Sequence, residues 1–243
     1  MKITNKYITI IAILMSIGIS LLFFGQNLDA QMGIIDDHIY ISRGALNNPG
    51  QVINNFINAT EITQFGQNKR FRIMYMLIND VEASVFGMNA LYFYIVNILV
   101  FAFFIFTIFY VTWKYLNMKW ATSFTLFVLC GTYFAHIFTR LGTAEIWAML
   151  GVSIYALGYS SLFKKIQQES YENSWREWMA MFVGPIVAIG SKENFAIMFV
   201  AVISMLIFMK HYSKITKNAI WFSMFMLFAN AYQMAYVFTM QMN

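Results

Sequence analysis

Charged side chains make up only 11% of this 243-residue chain, against the roughly 25% usual in soluble domains. Hydrophobic residues reach 60% and aromatic residues 19%, a balance that excludes an ordinary soluble domain and describes an integral membrane protein. Cysteine is nearly absent. The single Cys130 falls inside an apolar run, which excludes a disulfide framework within the chain and leaves the redox compartment unread. Also missing are a glycine-rich phosphate loop, a nucleophile elbow and zinc-ligand spacing.

What the chain has instead is a series of apolar runs, measured against the roughly 20 residues needed to cross a bilayer. They predict spans near 7–25, 89–113, 120–138, 146–163, 176–191, 194–209 and 219–240, an all-α membrane bundle of seven helices. Lys2 and Lys6 precede the first span, so the positive-inside rule puts the amino terminus in the cytoplasm. The first apolar run is longer than the 7–15 residues of a signal sequence, and Leu28-Asp29-Ala30 is a poor cleavage site. An uncleaved anchor is expected.

On this topology the inner side carries ten basic and three acidic side chains, and the outer side six and eight. The inner charge is therefore +7 and the outer −2, consistent with the overall +5. The runs 178–190 and 195–209 are each short for a crossing. A single helix through 178–209 would put Lys210, Lys214 and Lys217 outside, so a hairpin with its tip at Ser191-Lys192-Glu193-Asn194 is expected. The many Met and Phe residues suit lipid-facing and helix-contact positions.

The segment 26–88 is by far the longest connection and holds enough Ile, Val and Phe to bury apolar surface. Asn47-Asn48-Pro49-Gly50 reads as a turn, followed by a short amphipathic helix through Val52, Ile53, Phe56 and Ile57. A second amphipathic helix is expected from about Arg72 to Phe86, with Ile73, Leu77, Val81 and Val85 repeating every four residues and Gly87 ending it.

Chemistry is expected where polar residues collect on the outer side. Asp36 and Asp37 follow the first span, and a carboxylate near lipid is costly without a partner or a task. Adjacent side chains point apart, so one can act as a base while the other holds a cation or caps a helix. His38 beside them offers ligands to a divalent metal, the one cofactor the residues leave open.

Tyr133, His136 and Arg140 fall at spacings of three and four, a cationic helix face suited to phosphate or carboxylate or, more simply, to interfacial anchoring. Glu145 lies across the corner Leu141-Gly142-Thr143-Ala144. Lys192 and Glu193, as direct neighbours, cannot pair well and can each reach another loop. Arg70 and Arg72 open the second loop helix, where a positive charge opposes the helix dipole, so lipid headgroups or a bound phosphate are their expected partners.

The order of these features is informative. An acidic pair after the first span, Arg70-Phe71-Arg72 leading to Phe86-Gly87, Arg140 with Glu145, and Gly190-Ser191-Lys192-Glu193 together resemble the GT-C superfamily of membrane glycosyltransferases. The resemblance covers nearly the whole chain as an amino-terminal module of seven spans with a large first outer loop, and implies further spans or an outer domain beyond it.

The resemblance also implies a function: sugar transfer from a polyprenyl-phosphate carrier to a saccharide or lipid acceptor hydroxyl, at the outer face of a bacterial inner membrane. Asp36 or Asp37 would be the general base, Arg72, Arg140 and Lys192 would stabilise the leaving phosphate, and Glu145 and Glu193 would orient those cations or bind sugar hydroxyls. Membrane lipids and a membrane-protein partner are further expected contacts, and nucleic acid is not. Two competing readings are a lipid-linked saccharide flippase and a noncatalytic subunit of a glycan-assembly complex.

Overall fold

A computed structural model describes residues 2–32, 72–168, 175–198, 200, 201 and 235, with side chains from Tyr7 onward and without that of Glu193. Every regular element among the described residues is helical. Counting these alone, the longer helices are α1 (Lys2–Phe24), α2 (Ile73–Phe86), α3 (Ala90–Tyr115), α4 (Met118–Leu129), α5 (Tyr133–Phe138), α6 (Ala144–Gln167) and α7 (Trp175–Ser191). Short 3-10 helices follow at Gly25–Asp29 and Glu193–Ile197.

Local chemistry sets several of these limits. The Asn89 side chain accepts the Leu91 amide at 3.2 Å to open α3, and that of Asn117 accepts the Trp120 amide at 3.1 Å to open α4. Gly87, at φ +59, closes α2 with its amide on the Ala83 carbonyl at 3.0 Å, a backbone shape that disfavours any side chain.

Three described helical segments, Tyr7–Asp29, Ala90–Tyr115 and Ala144–Gln167, are long and apolar enough to cross a membrane. They match the expected first, second and fourth spans. The expected third span, 120–138, is two helices instead. Helix α4 closes with the Cys130 amide on Leu126 and the Gly131 amide on Val128, and α5 restarts at Tyr133.

The expected fifth span is α7, whose 17 residues rise about 26 Å at 1.5 Å each, short of a full bilayer core. Lys192 is extended at φ −147 and ψ 127, so the helix stops there and a continuous rod through 178–209 is excluded. Most of the expected sixth and seventh spans, and the helix through 52–57, lie outside the described residues.

Helix α3 is central. Helices α1, α4 and α6 pack around it, α7 packs along α6, and α2 lies against α7 and α3. The main core joins Phe24, Phe101, Ile105, Phe138, Ile146 and Trp147. Phe24 stands edge-on to Phe101 at 4.9 Å, and Phe101 meets Phe138 at 4.7 Å.

Helix α2 corrects one expectation. Its stripe of Val81 and Val85 is exposed, at 46% and 67%, while the face expected to be wet is packed inward. Tyr75, Asn79, Asp80, Glu82 and Ala83 are all buried. Outward apolar groups beside a membrane meet lipid, and inward polar groups meet other polar groups, so the pattern is inverted relative to a helix lying in water.

Candidate functional site

A polar site forms where the α5–α6 corner, the end of α7 and the start of α2 converge. Gly142, at φ +75, turns the chain between α5 and α6. The Thr143 hydroxyl donates to the Ile137 carbonyl at 2.9 Å, holding the corner shut. Glu145 then falls in the first turn of α6, where the helix dipole favours a carboxylate.

The end of α7 is fixed against that corner. The Lys192 amide donates to the Ala188 carbonyl at 3.1 Å, and the Phe195 amide donates back to the Lys192 carbonyl at 3.0 Å. From this pinned backbone the Lys192 ammonium reaches a Glu145 carboxylate oxygen at 2.8 Å. Both side chains are about one fifth exposed, at 20% and 22%. Such a pair is shielded from bulk water yet open on one side.

Helix α2 supplies the third wall. A Cβ placed on Gly190 would lie 2.6 Å from Met74 Cγ, so the small residue lets α2 sit directly on α7. The Tyr75 hydroxyl donates to the Gly142 carbonyl. Arg72, one residue before α2, is near enough for its charge to act on Glu145. Tyr133, which is 55% exposed, also interacts electrostatically with that carboxylate.

Arg72, Glu145 and Lys192 are therefore brought together from three separate parts of the sequence. The independent reach expected of Lys192 is met by its pairing with Glu145. His136 and Arg140 are exposed, and the Arg140 backbone carbonyl accepts from Asn97 of α3 at 3.4 Å. The face expected to run from Tyr133 to Arg140 ends early, because α5 stops at Phe138. Asp36, Asp37, His38 and Arg70 lie outside the described residues, as does the Glu193 side chain.

Sequence reasoning passed over the inward face of α2. Tyr75, Asn79, Glu82 and Phe86 are spaced four, three and four apart, a periodic signal as regular as the apolar stripe on the other side. Asp80 and Glu82 entered only as outer charges, yet are 1% and 7% exposed. Ser191, beside Lys192, is fully buried.

Among the described residues no group of three or more His, Cys, Asp and Glu comes together to hold a metal. The arrangement they do form is the Lys192–Glu145 ion pair, with the Arg72 charge and the Tyr133 phenol near enough to act on that carboxylate. Chemically it can receive an anion on Arg72 and Lys192 while Glu145 fixes the ammonium's direction. No protein-family model, curated protein or solved structure matches the chain.

Proposed function

We propose that this chain is a membrane glycosyltransferase, or the amino-terminal module of one, that transfers a sugar from a polyprenyl-phosphate carrier to an acceptor hydroxyl. The observation that supports this reading is the convergence of Lys192, Glu145 and Arg72 at one end of the helices. A phosphate leaving group gains negative charge as the glycosidic bond breaks. Prepositioned cations stabilise that charge more than they stabilise the starting ester.

In this reading Lys192 and Arg72 hold the phosphate, Glu145 orients Lys192, and Asp36 or Asp37 takes the proton from the acceptor hydroxyl. The orientation is an amino terminus in the cytoplasm with the cationic site on the outer face.

The test uses the purified full chain in proteoliposomes with a radiolabelled polyprenyl-phosphate-linked sugar. Replacing the general base is expected to lower transfer by about 10²–10⁴-fold in Asp36→Ala or Asp37→Ala. Lys192→Ala is expected to cost on the order of 10²-fold through loss of leaving-group stabilisation. Full transfer in both aspartate variants would remove the base assignment, and labelled sugar crossing the bilayer unreacted would replace transfer with transport.

A further inference from the structure

A different part of the molecule, far along the chain from the cationic site, holds an apolar groove between α1, α3 and α4. Met15 and Ile19 form one wall, Ile105 and Phe109 the floor, and Leu126 and Leu129 the other wall, around a cavity of about 80 Å³ that opens to the surface. Because Ala12 and Met15 line it with Phe109 and Thr122, the start of α1, the end of α3 and the start of α4 lie at one end of the bundle.

Thr125 also lines this groove, at 5% exposure, and among the described residues its hydroxyl oxygen has no hydrogen-bond partner. Hydroxyls in apolar helices ordinarily bond the carbonyl four residues back. Thr107 does so to Phe103, Ser153 to Met149 and Ser20 to Ser16, each at 2.8 Å. Thr125, one of the residues lining the groove, departs from that pattern, and its buried, unpaired hydroxyl calls for a polar atom brought into hydrocarbon.

Charge at the mouth identifies the ligand's other end. Lys119 is exposed and stands three residues before Thr122 and seven before Leu126, on the groove face of α4. Its neighbour Trp120 is 62% exposed, as expected of an indole at the headgroup level. Lys2 and Lys6 occupy the first turns of α1 at this same end. From Lys119 to Thr125 the helix rises about 9 Å.

A cation, then hydroxyls, then an apolar trough follow one another inward, in the order of a phosphate, ester carbonyls and an acyl chain. We propose that this groove binds one diacyl anionic phospholipid from the leaflet on the Lys119 side. Its phosphate sits at Lys119, an ester carbonyl accepts from Thr125, and an acyl chain lies between α1 and α4. Nothing here depends on glycosyl transfer.

The full chain, purified in detergent, would be photolysed with phosphatidylglycerol or phosphatidylcholine carrying a diazirine in one acyl chain, and adducts mapped by mass spectrometry. Phosphatidylglycerol adducts are expected on Met15–Ile19 and Thr122–Leu129. Lys119→Ala should reduce them about fivefold and leave the phosphatidylcholine signal unchanged. Thr125→Val, nearly the same shape, should weaken retention of both lipids without moving the thermal unfolding midpoint.

Equal labelling by the two lipids in wild type, or adducts spread evenly over outward-facing Leu14 and Leu22, would overturn the proposal. So would loss of labelling on formation of a cross-linked dimer, which would make a second copy the occupant. Millimolar inorganic phosphate is expected not to compete; competition would sink the lipid assignment in favour of a free anion.

Discussion

The α6–α7 pair and the α1–α3 pair are both packed helices in an apolar chain, yet they are built on opposite principles. Between α6 and α7 the backbones touch: a Cβ on Gly151 would lie 2.5 Å from the Ala188 nitrogen and from the Gly184 oxygen. A Cβ on Gly158 would meet the Ala180 methyl at 2.8 Å. Against α1 there is slack. A Cβ on Gly18 meets nothing within 4 Å, and apolar grooves open on both sides of the helix, one of them walled by Ile13, Ile17, Leu99 and Phe106.

The difference shows where the protein needs fixed geometry. In hydrocarbon, helices gain little from hiding apolar surface and associate through close van der Waals contact, which small residues permit. Helices α6 and α7 are also joined by an ion pair at each end, Glu145 with Lys192 and Lys165 with Glu177, both at 2.8 Å. Ser161 donates to the same Glu177 carboxylate at 3.1 Å. Each pair has a further cation acting on its carboxylate, Arg72 on Glu145 and Lys114 on Glu177, and the Lys114 ammonium also donates to the Ser160 carbonyl at 2.9 Å.

The most damaging way to break the contrast is Gly151→Val, which drives a branched side chain into the α7 backbone. It should cost about 3 kcal/mol or more and deplete the folded fraction, read by thermal unfolding in detergent. Retained stability would mean the helices can separate without loss.

Next in size is Lys192→Ala, which strands a half-buried carboxylate and should cost about 2 kcal/mol, between the exposed and fully buried limits. The reversed pair Glu145→Lys with Lys192→Glu should recover most of that stability but little of the proposed sugar transfer, because the cation then starts from α6. Reversing Lys165 and Glu177 should leave transfer unchanged. If both reversals behave alike, the two ends have the same role.

Tyr75→Phe removes the hydroxyl that ties α2 to the Gly142 corner and should cost about 1 kcal/mol. Hydrogen exchange would reveal it as faster opening of α2 ahead of α6. The smallest effect is expected at Gly18→Ala, where open space and a helical backbone predict a gain of about 0.5 kcal/mol. A loss there would show that α1 is packed more closely than its surroundings indicate.

Much of the fold was legible because long apolar runs leave few alternatives. Three spans, the α2 helix with its Gly87 stop, and the helix break at Lys192 could be read from hydropathy, charge and a glycine. The broken third span was not, since Cys130-Gly131-Thr132 is too mild an interruption to stand out in an apolar run. Which face of α2 turns inward was also hidden: two periodic stripes coexist on it, and periodicity alone does not say which one lipid takes.

The site was legible in kind and not in membership. Lys192 could be seen to need a partner beyond Glu193, because adjacent side chains diverge. That the partner is Glu145 followed from the glycine contacts that draw α7 against α6, and that Arg140 leaves the helical face of Tyr133 and His136 followed from the early end of α5.

The sequence by itself determined a helical chain of membrane-spanning length, with charges expelled to helix ends, since unpaired charge and unsatisfied backbone are costly in hydrocarbon. Only the tertiary structure decided which charges meet, which helices pack backbone to backbone, and where a hydroxyl beside a groove is left without a partner among the described residues. Those outcomes depend on side-chain direction and on approach distances of a few tenths of an ångström, which residue order along one helix does not encode.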